Sequence, residues 1–377
     1  MTSIHPSARG ARGRREDRPA GESRPRHRPP ARGSRPDLDE RKARILRAVV
    51  VTHIESAEPV GSGQVARRFR LGVSSATIRS EMSALEDLGF LVQPHTSAGR
   101  VPTDLGYRFY VDTLPEPSRL PDGVREAIRR FFASAPDMEE TIRGTTRLLS
   151  TLTHHAALAL APSIRESRIS VLDLVGTGSV WLLVVVTETG AVEKRVLEPG
   201  AVSGRAAERL RRDLNEGFRG LTLAGAAARA DALAGAAAEA ARDEERRLLE
   251  AVAAALHPVR RDERVIVGGA ANIVGEEGFD RRDTIEGVIR ALEEEAQFLT
   301  MLRAAATSGD LTVTIGRENP VTAMREASIV IAPYGPDDRT LGTVGVVGPT
   351  RMDYQSAIAA VQAVAERLSR VLQALAR

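Results

Sequence analysis

The residues whose types and spacing could do chemistry lie on one short helical segment after residue 73. Its apolar residues recur at helical spacing, forming one stripe of Ile78, Met82, Leu85 and Leu88. The opposite face carries residues that are small or can donate hydrogen bonds: Ala76, Arg79, Ser80 and Ser83. Such a helix can lie close to the floor of a DNA major groove. Taken alone, such a segment is more often an ordinary surface helix, and its neighbours in the chain decide between the two readings.

A polar hairpin is predicted directly after this helix. Residues 90–93 and 100–102 read as two short strands around a turn at 94–99. Its tip offers groups suited to phosphate or minor-groove contact, namely His95, Thr96, Ser97 and Arg100. For Arg100 the alternative is a structural role, in which it holds the hairpin rather than DNA.

The elements that position these residues are three capped helices. Residues 37–40 open the first helix, which buries Ile45, Leu46, Val49, Val50 and Ile54. Ser62 is expected to cap a second, short helix that buries Val65, Ala66 and Phe69. Ser74 or Ser75 caps the third helix, Gly89 ends it, and Thr103 caps a fourth after the hairpin. This order predicts a winged helix-turn-helix over residues 38–113. The predicted DNA-binding residues are Ser74, Ser75, Ala76, Thr77, Arg79, Ser80, Ser83, His95, Thr96, Ser97 and Arg100.

The rest of the chain reads as an α+β domain with a large insertion. A helical run over 127–149 precedes strands predicted at 157–160, 169–174, 180–187 and 190–196. Residues 203–308 are mostly helical and include an alanine-rich stretch and a short strand near 264–268. Strands return at 311–315, 327–333 and 343–347, and a closing helix runs from 354 to 375. This order favours one sheet domain that is interrupted by a helical segment.

Charge is distributed unevenly along the chain. Residues 1–36 contain ten arginines against Glu16, Asp17 and Glu22, a local charge of +7, whereas the whole chain has +3, which leaves −4 for the remainder. This Arg/Pro-rich tail, residues 1–37, is predicted to be disordered because it has almost no apolar residues. It either adds non-specific DNA affinity or is a solvated extension, and a mis-chosen start site is a third reading.

Several function classes are excluded by residue content. There is no cysteine, so neither a disulfide nor a thiolate metal site is expected. The histidines show no metal-ligand spacing, and phosphate-loop, dinucleotide and serine-nucleophile motifs are lacking. The longest apolar run, 180–186, is too short to cross a bilayer, and the N-terminus lacks a signal-peptide core. We therefore expect a soluble protein with no membrane contact, no cofactor, no metal and no enzymatic activity.

Two separated groups of motifs closely resemble the HrcA family of heat-inducible transcription repressors. The first comprises 73–79, 93–103 and 106–107, and the second comprises 315–320, Tyr334 and 342–354. The resemblance covers roughly residues 38–377. One departure lies on the predicted reading helix, where Ser80 stands in place of the family's usual Asn. Asn could pair bidentately with adenine, whereas Ser makes a single, less discriminating hydrogen bond.

The resemblance implies both a domain plan and a function. A GAF-like domain, residues 114–202 and 309–377, would be split by an inserted dimerisation domain at 203–308. The protein would be a cytoplasmic homodimer that binds double-stranded operator DNA with an inverted repeat (CIRCE-type) and represses heat-shock chaperone operons. The GroEL chaperonin would promote its activity. The alternative is a ligand-gated regulator whose GAF-like domain senses a small molecule.

Overall fold

The computed structural model of the chain describes residues 38–95, 98–115, 120–133, 138–162, 167–176, 180–188, 190–257, 264–275, 279, 282–293, 295–336 and 339–375. These residues form an α+β structure with thirteen α-helices and three antiparallel sheets. The tail predicted at 1–37 and two of the predicted site residues, Thr96 and Ser97, lie outside the described residues.

Residues 38–113, here called the head, fold as three helices, a hairpin and a fourth helix. The elements are α1 (Glu40–Ser56), α2 (Ser62–Arg68), α3 (Ser75–Asp87), β1 (Leu91–Val92), β2 (Val101–Pro102) and α4 (Asp104–Asp112). Asp39 caps α1 and Thr103 caps α4, each by accepting a backbone N–H with its side chain. The cap predicted at Ser62 is wrong, because Gly61 occupies that position and no side chain caps α2.

The apolar stripe of α3 is buried except at its end. Ile78, Met82 and Leu85 are at most 1% exposed, whereas Leu88 is 39% exposed. The prediction that Leu88 faces the core is therefore wrong. The chain leaves the helix at Gly89, whose φ of 80° is in the left-handed region, and Phe90 occupies the buried position instead.

The residues after the head form further helices and strands. In chain order they are α5 (Asp122–Ala133), α6 (Met138–Thr153), β3 (Ala156–Leu160), β4 (Ile169–Gly176), β5 (Trp181–Thr187), β6 (Val192–Leu197), α7 (Gly204–Phe218), α8 (Leu223–Glu239), α9 (Asp243–Leu256), β7 (Val265–Gly268), α10 (Ala271–Gly275), α11 (Arg282–Glu293), α12 (Glu295–Ser308), β8 (Thr312–Ile315), β9 (Ala327–Tyr334), β10 (Gly342–Pro349) and α13 (Tyr354–Leu375). The predicted run 127–149 thus falls in two helices, and the closing helix has the predicted bounds.

A five-stranded sheet, here called the body sheet, lies at the centre of this region. Its strand order is β7-β3-β10-β9-β8, with every pair antiparallel. One face packs on α6, α13 and residues of the head, whereas the other packs on α11 and α12. The central strand β10 is buried along its whole length because helices cover both faces.

The strands at 169–197 do not belong to the body sheet. β4, β5 and β6 pair only with one another among the described strands, and they pack on α7, α8 and α9 around a separate core. The sequence grouped these strands with 114–202, and it grouped β7 with 203–308, although β7 pairs with β3. The structure therefore differs from that grouping. Strand partners are chosen by packing over long sequence separations, which local pattern does not encode.

Candidate nucleic-acid interface

The N-terminus of α3 is held by its own capping residues. Ser74 occupies the N-cap, and its Oγ accepts the backbone N–H of Thr77 at 3.1 Å and lies 3.0 Å from Oγ1 of Thr77. The predicted cap is therefore confirmed at Ser74, and Ser75 is the first helical residue. The hydroxyls of Ser74 and Thr77 thus bind within the first turn of α3.

The face of α3 opposite the buried stripe is open to solvent. Ser75, Ala76, Arg79 and Ser80 are all exposed. Arg79 forms no ion pair with any other residue that the structure describes. This face therefore presents one exposed cation, two hydroxyls and a methyl group, which are groups suited to the edges of bases in a major groove.

Arg100 is not a free cation beside the hairpin tip. Its Nε donates to Oε2 of Glu86 at 2.8 Å and its Nη2 donates to Oγ of Ser83 at 2.8 Å. Its side chain is only 13% exposed. The other oxygen of Glu86 accepts the backbone N–H of Gln93 at 3.0 Å. Arg100, Glu86, Ser83 and Gln93 thus form a clamp that joins the hairpin to the C-terminal half of α3.

The clamp changes what two of the predicted site residues can do. Ser83 is partly buried beneath the Arg100 guanidinium, so it does not share the exposed face with Arg79 and Ser80. Glu86 and Gln93 were not singled out from the sequence. Glu86 lies three residues after Ser83, on the same side of the helix, and this spacing was the available signal.

The hairpin is also tied to the loop between α1 and α2. Val60 and Arg100 exchange both backbone hydrogen bonds, each 2.9 Å long. A Cβ added at Gly99 would lie 2.5 Å from the carbonyl of Val60, so only glycine allows this approach. Near the tip, Gln93 Nε2 donates to the carbonyl of Ala98 at 2.9 Å, and His95 is exposed. The hairpin base is therefore fixed beside α3.

A further ion pair aligns α3 with α1. Glu81 on α3 lies 3.3 Å from Nζ of Lys42 and 3.7 Å from Nη1 of Arg41. The Lys42 ammonium also donates to Asp39, and the hydrogen bonds to Asp39 and then Glu81 raise the pKa of Lys42. Arg41, Lys42 and Glu81 were missed by sequence reasoning because their contacts join two different helices.

Two properties of the described residues bear on metal binding and membrane insertion. Among them, no group of three or more His, Cys, Asp or Glu side chains could hold a metal ion. None of their helices is both long and apolar enough to cross a bilayer.

Comparison with known proteins identifies the family. The model of the HrcA protein C-terminal domain matches residues 139–358. The heat-inducible transcription repressor HrcA of Acidothermus cellulolyticus is 41% identical over 337 residues, covering 89% of this chain and 99% of that protein. The protein of the same name from Thermobifida fusca is 42% identical over 340 residues, covering 89% of this chain and 97% of that protein.

One solved structure shares the fold over most of the chain. It is described as the crystal structure of a hypothetical protein at 2.2 Å resolution, with a TM-score of 0.63 and 25% sequence identity. The match covers 90% of this chain and 100% of that one.

The chain belongs to the HrcA family of heat-inducible transcription repressors. Such repressors act by binding DNA and are not, in general, enzymes.

Proposed function

We propose that this protein represses heat-shock chaperone operons by binding an inverted-repeat operator of the CIRCE type as a homodimer. The observation that carries the proposal is the exposed polar face of α3, held beside a hairpin by the Arg100 clamp. In this proposal the head is a winged helix-turn-helix, α3 is its recognition helix and the hairpin is its wing.

The base contacts are assigned to the open face of the recognition helix. Arg79 can donate two hydrogen bonds to a guanine. Ser80 can make one hydrogen bond, either to an acceptor or to a donor group of a base. Ser75 and Ala76 face the same groove from the first turn, while Ser74 and Thr77 keep that turn capped. Ser83 and Arg100 act through the clamp, so we assign them to positioning rather than to direct contact. His95, Thr96 and Ser97 remain the proposed contacts of the wing tip.

The proposed dimer interface is the outer face of the three-stranded sheet. Its most exposed apolar residues are Val171 (39%), Val175 (43%), Val192 (55%) and Val196 (64%). The strand register brings Val171, Val186 and Val192 into one row and Val175, Leu182 and Val196 into another. An isologous contact would bury both rows against their equivalents in a second copy. We accordingly propose that residues 167–257, here called the inserted unit, form the inserted dimerisation domain of a GAF-like body.

Two heads on one dimer explain how a short helix could select an operator. One recognition helix contacts only a few base pairs, too few for a unique address in a genome. Joining two heads makes the second docking intramolecular and raises affinity where the half-site spacing fits. The name shared by the relatives, heat-inducible transcription repressor, supports repression of heat-inducible genes. Family resemblance supports chaperone operons as the particular targets. Family resemblance supports activation by the GroEL chaperonin and a cytoplasmic location.

An anisotropy titration of the full-length protein tests the proposal. The labelled duplexes carry an inverted repeat, the same bases scrambled, and a single half-site, all at physiological salt. We expect binding to the inverted repeat to be at least about a thousandfold tighter than to the scrambled duplex. Addition of GroEL should raise the active fraction of the repressor. Equal affinity for the repeat and the scrambled duplex would refute operator binding, and a response to a small-molecule extract but not to GroEL would favour the ligand-gated alternative.

A further inference from the structure

The fourth helix of the head lies against the body sheet through an ion pair. Arg108 on α4 donates from Nε to Oε1 of Glu318 at 2.8 Å, and its Nη2 donates to the other oxygen of the same carboxylate. Nη2 also donates to the carbonyl of Val313 at 2.7 Å. The Arg108 side chain is 10% exposed, and Asp112 lies 3.4 Å from its Nη1. A residue of the head is therefore held by a residue 210 positions later in the chain.

A second contact lies one turn earlier on the same face of α4. Oδ2 of Asp104 accepts the backbone N–H of Arg317 at 3.0 Å. Gly316, which has a φ of 52°, leaves room for that carboxylate, because an added Cβ would lie 2.4 Å from Oδ1 of Asp104. The turn at 316–318 is thus shaped to receive the N-terminus of α4.

A third contact is aromatic and connects α1 to the body. Nδ1 of His53 lies 2.7 Å from the hydroxyl of Tyr107, and the Tyr107 ring lies 5.9 Å from the ring of Tyr354 on α13. The Tyr354 hydroxyl donates to the carbonyl of Thr350 at 2.6 Å and lies 2.7 Å from Oγ of Ser328 on β9. Tyr107 and Tyr354 belong to one apolar cluster that extends from the head into the body.

Residues 104, 107 and 108 recur at helical spacing, so all three contacts lie on one face of α4. We propose that these contacts, here called the latch, fix the orientation of the head on the body and thereby set the operator spacing that the dimer accepts. Glu318 is assigned as a positioning residue for DNA recognition. The inference rests on the proposed function and adds to it a residue outside the head.

The physical basis is the difference between rigid and flexible linkage. Heads on flexible tethers dock on half-sites at many separations, whereas heads held at a fixed angle dock at one separation without further loss of freedom. When the latch holds the head on the body, the exposed face of α3 stays open to solvent, since Ser75, Ala76, Arg79 and Ser80 are exposed. The latch thus orients the recognition helix without covering it.

The test compares the full-length protein with Glu318→Gln. Glutamine retains the shape of glutamate and can still accept the backbone N–H of Ile315, which Glu318 accepts at 2.9 Å, so the local turn is preserved. The charge on Arg108 then loses the carboxylate that joins it to the body and keeps only Asp112 of its own helix. Dissociation constants are measured on inverted repeats whose half-site separation changes in steps of one base pair, and on a single half-site. We expect the preference for the best separation to fall by roughly tenfold, with half-site affinity within about twofold of the parent protein.

Three further variants make the result specific to the latch. Asp104→Ala breaks the second contact and should also flatten the spacing preference, which keeps the test available if Glu318→Gln does not fold. Combining Arg108→Gln with Glu318→Gln should be no worse than Arg108→Gln alone, because that change already removes the ion pair with Glu318. Glu250→Gln breaks the Arg246–Glu250 pair on α9, 2.8 Å long, and is the matched control that should leave the profile unchanged.

The outcomes separate the two proposals. A parent protein that cannot distinguish an inverted repeat from a scrambled duplex refutes the proposed function itself. A parent protein with a clear spacing preference that Glu318→Gln and Asp104→Ala leave intact refutes the latch alone. A loss of preference that Glu250→Gln reproduces also refutes it, because the effect would not depend on the contacts of α4.

Discussion

At the scale of single residues, two arginines of the head illustrate how environment determines role. Arg79 is exposed on α3, whereas the Arg100 side chain is 13% exposed and its guanidinium donates hydrogen bonds to Glu86 and Ser83. An unengaged guanidinium can present its donors to a guanine without losing another partner. A guanidinium already bound to a carboxylate would have to give up that partner first.

We predict that Arg79→Ala reduces operator affinity by about 1–3 kcal/mol and relaxes the preference at one base pair of each half-site. The reason is the loss of paired hydrogen bonds to a base edge. The measurement is a set of anisotropy titrations on duplexes in which each half-site position is varied in turn. A uniform loss across all duplexes would make Arg79 a phosphate contact instead.

The folded structure disfavours the protonated form of His53. Burial lowers the pKa of His53 from its ordinary 6.5 to about 4, and the positive charge of Arg351 adds to the effect. The unfolded state therefore binds a proton between these two values while the folded state does not. Stability is unaffected by this group above pH 6.5, and it falls as the pH drops from 6.5 to about 4.

The corresponding prediction is that His53→Gln weakens the loss of stability between pH 6.5 and 4. Between these two pH values the parent protein should lose roughly 1–3 kcal/mol more of its unfolding free energy than the variant, allowing for the partial exposure of the ring. Urea unfolding of both proteins at a series of pH values measures it. Parallel curves for the two proteins over this interval would show that His53 titrates normally in the folded state.

At the scale of elements, the hairpin and the recognition helix act as one unit. The clamp fixes the helix end of the hairpin, and the exchange of backbone hydrogen bonds with Val60 fixes its other side. The sequence alone favoured a DNA contact for Arg100 and kept a structural role as the alternative. The hydrogen bonds of Arg100 now support the structural role.

We therefore predict that Arg100→Ala weakens operator binding by about 1–3 kcal/mol but leaves the slope of log affinity against log salt unchanged. Glu86→Gln should have a similar effect, and the double variant should be less severe than the sum of the two, because both changes break one clamp. Titrations at several salt concentrations provide the measurement. A slope reduced by about two per dimer would instead show that each Arg100 neutralises a phosphate.

At the scale of the whole molecule, the head is continuous with the body. Tyr107 and Tyr110 of α4 share one apolar cluster with Tyr354 and Val361 of α13. A fragment ending at residue 113 would expose this surface and remove Glu318, the body residue that binds Arg108. Tests of operator binding are accordingly best made on the full chain. The inserted unit has its own core, so an interface there can be altered without disturbing the head.

The matching prediction concerns the outer face of the three-stranded sheet. Val196→Asp places a charge on this face, where Val196 is 64% exposed, and should convert the dimer into monomers. We expect sedimentation velocity to show the change in mass, and the advantage of the inverted repeat over a single half-site to fall by about a hundredfold or more. Val274→Asp, at a valine 61% exposed on α10, is the control and should remain dimeric. A dimeric Val196→Asp protein with unchanged operator preference would exclude this face as the interface.

The sequence by itself determined what local pattern encodes. The apolar stripe of α3, the caps at Ser74 and Thr103, the bounds of α13 and most strands follow from spacing and capping, which depend on near neighbours in the chain. The exposed face carrying Arg79 and Ser80 follows from the same periodicity. Leu88 departs from the pattern because α3 ends at Asp87 and the chain turns at Gly89, so the last residue of the stripe lies beyond the helix.

Only the tertiary structure decided which distant groups meet. The pairing of β3 with β7, the separate sheet of β4, β5 and β6, and the Arg108–Glu318 ion pair each join segments whose local patterns permit other partners. Arg100 shows the same limit within one domain, since nothing in its neighbouring sequence specifies Glu86 as its partner. Partner choice depends on how whole faces pack together and exclude water, and that is a property of the assembled core rather than of any one segment.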